Sequence, residues 1–192
     1  FELIPRAAVE KVRERDADRH TDRDTEGREI ERRTEAHAGY LAAPPADRLH
    51  HADLGGREAL PELLALVDYA VFSAPSLHEF ARGMNDGEAL KQVLRHGPRH
   101  AGVTLGARGY LWAERDGRSG HQPAFQVDVV DTTGAGDAFH GAFALGIAEG
   151  LPIEACARRA AAVAALKCTR LGSRAGLPTN SELELFVSLH GG

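Results

Sequence analysis

The chain has 192 residues, with 23 lysines and arginines against 28 aspartates and glutamates, for a formal net charge of −5. That length suits one domain, or one domain with an appendage, and the mildly acidic balance argues against nonspecific nucleic-acid binding, which relies on a basic field. Two cysteines, Cys156 and Cys168, are too few for a disulfide framework and favour a reducing cytosol.

The opening run Phe1-Glu2-Leu3-Ile4-Pro5-Arg6 lacks the apolar core of a signal peptide. The longest nearly apolar stretch, Ala138 to Ala148, contains His140 and is too short to span a bilayer. The expectation is a soluble cytoplasmic protein with neither a nucleic-acid nor a membrane partner. Residues 1–50 carry 10 basic and 12 acidic side chains, a far higher density than the remainder. Between Glu10 and Glu35, 18 of 26 residues are charged, and Val12 and Ile30 are the only large aliphatics. Such a run cannot bury enough apolar surface to offset its ordering entropy. Arg15/Asp18 and Glu29/Arg33 sit at attractive helical spacings, so residues 1–50 are read as a charged, disordered or solvated-helix segment. Pro44-Pro45 marks a linker before the second piece, 51–192.

From about residue 51 the texture is that of an α/β domain. Residues 60–67 read as a short helix with Pro61 in its first turn. Tyr69–Phe72 reads as a buried strand, and Asp86 as the cap of a helix running to about Arg95. Ala101–Leu105 is a second buried strand. Tyr110–Ala113, the Asp116-Gly117 turn and Ala124–Val127 predict a hairpin. Two apolar helices follow, over 136–149 and 152–169, the first closed by Gly150 and the second opened by Pro152. Thr179-Asn180-Ser181-Glu182 has the capping-box pattern and starts the last helix. Strands alternating with helices predict a mainly parallel sheet covered on both faces, a three-layer α/β/α arrangement.

The chemistry concentrates in Asp131-Thr132-Thr133-Gly134-Ala135-Gly136-Asp137. This run lies between an extended segment and an apolar helix, so Gly134, Ala135 and Gly136 form the turn that opens the helix. Backbone N–H groups there lack intrahelical partners and the dipole is positive, which favours an anion. Asp137 is then a carboxylate beside an anion site. That placement is counterproductive in a plain phosphate binder but suits a general base for a hydroxyl attacking a phosphoryl group. The competing reading is an ordinary acid favoured by the helix dipole. The run is neither a dinucleotide fingerprint, since Phe139 replaces the third glycine, nor a P-loop, since no Gly-Lys-Ser/Thr follows.

Asp131 through Phe143 closely resembles the C-terminal signature of the ribokinase-like (PfkB) carbohydrate kinases. The resemblance covers about residues 51–185, roughly the C-terminal half of that family's domain. It implies a ribokinase-like fold whose N-terminal half, with the sugar-binding motifs and lid, has no counterpart here. It further implies that Asp137 deprotonates the acceptor hydroxyl and that Gly134, Ala135 and Gly136 form an anion hole. Thr104-Leu105-Gly106-Ala107-Arg108-Gly109 is similar to the family's Thr-x-Gly-x-x-Gly, so Thr104, Gly106 and Gly109 would lie against the nucleotide phosphates. Ala164 to Gly172, followed by Leu177-Pro178-Thr179, is similar to the segment that walls the adenine, which assigns Ala164 and Cys168 to the nucleotide. The same likeness places a potassium-sized cation at Asp131, Thr133 and Gly172. ATP is the implied donor and Mg²⁺ its companion, with Glu79 the one carboxylate near the family's Asn-x-x-Glu, where Ser76 replaces the asparagine. His140 stands where the family often has asparagine.

Other residue patterns carry less. His96 and His100 stand four apart, but Gly97-Pro98 between them forbids a shared helical face. Cys156, Cys168, Tyr110 and Trp112 read as core residues. The sequence thus points to ATP-dependent phosphorylation of a sugar or sugar-like hydroxyl, with sugar and ATP as partners and homodimerisation left open. The alternatives are a catalytically inactive nucleotide-binding remnant and an interaction module whose charged arm recruits a partner.

Overall fold

A computed structural model describes residues 2–5 and 56–190. The charge-rich run from Glu10 to Glu35 and the Pro44-Pro45 linker lie outside the described residues. Strand β1 (Glu2–Pro5) is followed, in order, by helix α1 (Gly56–Leu64), β2 (Val67–Ser73), α2 (Ala74–Phe80), α3 (Asp86–Leu94) and β3 (His100–Thr104). A 3₁₀ turn over Gly106–Arg108 leads to β4 (Tyr110–Glu114) and β5 (Ser119–Gln122), and then come α4 (Ala135–Ala148), α5 (Ile153–Cys168) and α6 (Asn180–Leu189).

The strands form one sheet in sequence order. β2 and β3 pair in parallel, with α2 and α3 as their crossover, while β1–β2, β3–β4 and β4–β5 are antiparallel. The sheet is therefore mixed, with a parallel pair at its centre, rather than mainly parallel over the described strands. Short connections explain the β3–β4 and β4–β5 pairs, since a turn of a few residues can join only antiparallel neighbours.

Alternation along the strands divides the core into two layers. Ala70 and Phe72 of β2, Ala101 and Val103 of β3 and Ala113 of β4 pack with Leu64, Leu77, Leu90 and Val93 of α1, α2 and α3. Tyr69 and Val71, with Tyr110 and Trp112, pack on the other face against Phe139, Phe143 and Ile147 of α4 and Cys156, Ala157 and Ala160 of α5. The expected three-layer arrangement is present. Within the second layer His100 is 0% exposed, and its Nε2 lies 2.8 Å from the Tyr110 hydroxyl. Burial, helped by the Arg99 charge, lowers its pKa to about 3, so the imidazole is neutral. Gly102 makes room for this pair, since a Cβ there would lie 1.8 Å from the Tyr110 hydroxyl. His100 is thus a core histidine, as Tyr110 and Trp112 are core aromatics.

Local signals account for most helix ends. Thr179 and Glu182 form the expected reciprocal capping box at α6. At α3 the cap is Asn85, in a box with Glu88, and not Asp86, which lies inside the first turn. The second hairpin strand is Ser119–Gln122, not 124–127, because the turn at Asp116-Gly117 returns the chain at once and the Glu114 N–H already donates across it to the Arg118 carbonyl at 2.8 Å. Neither β1 nor α2 was expected from the sequence.

Candidate active site

Chain segment 130–137 is built on the C-terminal end of α5. The Val130 and Asp131 N–H groups both donate to the Cys168 carbonyl, at 2.8 and 3.1 Å. Asp131 then folds back on its own loop, as Oδ1 accepts from the Thr133 N–H at 2.9 Å and Oδ2 accepts from the Gly172 N–H at 2.8 Å. The bonds from Thr133, then that from Gly172 and the nearby Lys167 charge, hold the Asp131 carboxyl well below the usual carboxylate range. Lys167 is 0% exposed and donates from Nζ to the main-chain oxygen of Asp131 at 2.7 Å, with Oδ2 of the same residue 3.4 Å away. Two loops 36 residues apart in sequence are thereby tied into one rim.

Gly134 begins α4 in the left-handed region, at φ +77°. A side chain there would be strained, and its Cβ would approach the Ser173 Cβ to 2.7 Å. Beyond it the Ala135 N–H closes a turn on the Thr132 carbonyl, and Asp137 lies exposed in the first turn of the helix. Gly136 differs in kind, since a Cβ added there would meet nothing within 4 Å. The fold has no steric need of a glycine at that position. An unobstructed backbone at a helix N-terminus leaves room for an anion to reach the N–H groups.

Thr104 ends β3, between the partners Ser73 and Tyr110, and its hydroxyl donates to the Phe72 carbonyl at 3.3 Å. Gly106 and Gly109 shape the turn that follows, in which the Leu105 N–H donates to the Gly109 carbonyl at 2.7 Å. Gly109 has φ +94°, and a Cβ there would fall 2.1 Å from the Gln122 carbonyl oxygen. Ala164 is half-buried on α5 and packs against the second core layer. Cys168 ends α5 and contributes its carbonyl, while burial raises its half-buried thiol.

The metal assignments divide. Asp131, Thr133 and Gly172 meet in one hydrogen-bonded knot. Glu79 stands on α2 with its side chain 67% exposed, 3.9 Å from Arg82. Among the described residues no group of three or more His, Cys, Asp or Glu side chains is arranged to hold a metal. Ser76 is hydrogen-bonded to Ser73 at 2.9 Å, and His140 Nδ1 lies 2.7 Å from the Gly136 carbonyl on its own helix. The sequence offered no expectation for Lys167, although a lone lysine on the apolar side of an alanine-rich helix was a visible signal. Two open surface depressions, one beside Arg95 and Arg115 and one beside Tyr69 and Arg99, contain no residue of the 131–137 loop. Among the described residues no helix is long and apolar enough to cross a membrane.

The profile of the pfkB family carbohydrate kinases matches residues 40–180. A ribokinase of Lactococcus lactis is 35% identical over 133 residues, covering 66% of this chain and 43% of that protein. A ribokinase of Thermotoga maritima superimposes with a TM-score of 0.63 at 32% identity, covering 67% of this chain and 44% of that one. A protein of E. coli provisionally assigned as ribokinase II, solved with ATP and Mg²⁺, superimposes with a TM-score of 0.66 at 27% identity, covering 73% of this chain and 46% of that one. The chain thus spans less than half the length of the proteins it matches, and its layers are those of a ribokinase-like fold in part. With a match over most of its length and the glycine turn and helix of 131–143 in place, the chain belongs to the pfkB family of carbohydrate kinases.

Proposed function

We propose that this chain carries the nucleotide-binding and base-bearing part of an ATP-dependent carbohydrate kinase, which phosphorylates a hydroxyl of a sugar or sugar-like acceptor. The observation that carries the proposal is Gly136, exposed and sterically unneeded, at the N-terminus of α4 beside Asp137. Glycine in a helix costs about 0.5–1 kcal/mol relative to alanine, so its presence where no neighbour demands it accords with a ligand that does. Asp137 takes the proton of the acceptor hydroxyl at its carboxylate, the freed oxygen attacks the γ-phosphorus, and ADP departs. The backbone of the Gly134–Gly136 turn, open at Gly136, faces the charge on the transferred group. Thr104, Gly106 and Gly109 border the phosphates, and Ala164 and Cys168 the base.

Mg²⁺ enters with the nucleotide, since a single carboxylate and the substrate phosphates commonly suffice to bind it. It neutralises phosphate charge when bound. Glu79 is the candidate contact from the protein. The free thiols of Cys156 and Cys168 accord with a cytosolic setting. The 192-residue chain by itself is expected to bind nucleotide weakly and to transfer phosphate poorly, because positioning of the acceptor supplies much of the catalysis. Steady-state assay with ATP, Mg²⁺ and a panel of pentoses, hexoses and nucleosides tests this. Turnover of about 1 s⁻¹ or faster, in the ordinary enzyme range, would overturn the expectation for the isolated chain, and no detectable nucleotide binding would overturn the proposal.

A further inference from the structure

Most of the oxygens around the place that the family likeness assigns to a dissolved monovalent cation, those of Asp131, Cys168 and Gly172, are already engaged in this chain. Oδ1 and Oδ2 of Asp131 accept from the Thr133 and Gly172 N–H groups at 2.9 and 2.8 Å. The Cys168 carbonyl accepts from two N–H groups, and the Gly172 carbonyl accepts from the Gly176 N–H at 3.1 Å. The main-chain oxygen of Asp131 accepts from the Lys167 ammonium at 2.7 Å, and that side chain is 0% exposed. Gly176 closes the space around it, since a Cβ there would lie 2.8 Å from the Gly172 carbonyl oxygen and 3.3 Å from Lys167 Cε. A potassium ion sheds its water only where several oxygens together replace it. Here it would compete with N–H donors for those oxygens and would stand close to a fixed positive charge shielded from solvent. The residues present do not fit a dissolved monovalent cation.

We infer that Lys167 Nζ is the built-in monovalent cation of this site, so that the chain is indifferent to potassium. The ammonium joins the end of α5 to the Asp131 loop through one hydrogen bond and one ion pair. Lys167 is a positioning residue: it acts through Asp131 on the turn at Gly134, where the two loops lie so close that an added Cβ would come within 2.7 Å of the Ser173 Cβ. A covalently tethered cation needs no recruitment from solution and loses no translational freedom on binding. Charge balance is kept with one fixed carboxylate against one fixed ammonium.

The test is thermal melting of the 192-residue chain in potassium chloride and in tetramethylammonium chloride at equal ionic strength. The parent is expected to melt at the same temperature in both. Lys167→Ala is expected to melt lower in tetramethylammonium and to recover in potassium or in ethylammonium, which refills the vacated place. The same pair of salts is then compared for binding of a non-hydrolysable ATP analogue with Mg²⁺. Lys167→Ala should bind about tenfold more weakly in tetramethylammonium and regain affinity in potassium, a change of about 1.4 kcal/mol. A parent stabilised by potassium over tetramethylammonium overturns the inference. So does a folded Lys167→Ala whose melting ignores potassium and ethylammonium alike, because a merely structural lysine is not replaced by a small cation. Lys167→Met serves if the alanine variant does not fold, and if neither folds the parent's two melting temperatures decide. The ligand arm rests on the nucleotide reading proposed above. Loss of all nucleotide binding by the parent would sink that reading while leaving the melting result to decide this one.

Discussion

Two glycine-bearing loops carry residues of the proposed site, and they are held by different forces. The 104–109 loop is held by shape: Gly109 presses on the Gln122 carbonyl so closely that a methyl group could not enter. The 131–137 loop is held by charge and hydrogen bonds, with Asp131 and the buried Lys167 at its centre and open space over Gly136. A loop fixed by packing tolerates no substitution and responds little to ligands. A loop fixed by a polar knot can hold its turn in place while leaving the backbone at Gly136 unobstructed, which is the property an anion site needs. The difference accords with the roles proposed above, a rigid wall beside the phosphates from the first loop and an open turn for the transferred group from the second.

The largest expected effect breaks the chemical loop without touching its shape. Asp137→Asn, assayed in an enzyme preparation that phosphorylates sugar, should lower kcat by about 10²–10⁴, the usual loss for a general base. Its melting temperature should match the parent, because Asp137 is exposed. Comparable turnover in mutant and parent would remove Asp137 from the mechanism.

Gly109→Ala attacks the packed loop. The strained φ and the overlap with Gln122 together predict a loss of about 3 kcal/mol in stability, read from the urea midpoint. An unchanged midpoint would show that the β4–β5 edge yields to the intruding carbon.

The layer behind the loops should be acid-sensitive. His100 binds a proton more weakly folded than unfolded, so its contribution is fully present above about pH 6.5 and is lost as pH falls towards its folded value of about 3. Between about pH 7 and about pH 5 the loss is on the order of 2 kcal/mol. Glu114, raised mainly by desolvation, works in the opposite sense, favouring the fold as it protonates. A denaturant series against pH checks the slope. The double variant His100→Leu/Tyr110→Phe, which leaves no orphaned hydroxyl, should flatten it, and a slope that survives the double change would place the acid sensitivity elsewhere.

The sequence made much of this legible, for reasons that differ by residue. The capping box at Thr179 and Glu182 is a local hydrogen-bond exchange, and the apolar runs of α4 and α5 are long, so both are readable from neighbouring residues. The glycine turn at 134–136 is local as well. β5 was misplaced because Ser119-Gly120-His121-Gln122 has no apolar alternation. It is a strand only because Gly120 lies under the Trp112 ring, where a Cβ would come within 2.6 Å of the indole. β1 depends wholly on its partner β2, more than 60 residues away. Lys167 escaped notice for the same cause: its partner Asp131 is distant in sequence and was already given another role. Glu79, by contrast, rests on its place in the sequence alone, and among the described residues no metal-holding cluster includes it.

The most direct test of the central claim, that the 131–137 turn is a phosphate-binding site, is the Gly136→Ala variant. Space is free at Gly136 and its φ is ordinary, so alanine should stabilise α4 by about 0.5–1 kcal/mol. The same methyl group would stand where an anion must approach the backbone. Calorimetric titration of a non-hydrolysable ATP analogue with Mg²⁺ into parent and variant, alongside their melting curves, should show a protein that melts higher and binds nucleotide more weakly. Equal nucleotide affinity in a stabilised Gly136→Ala chain would contradict the account.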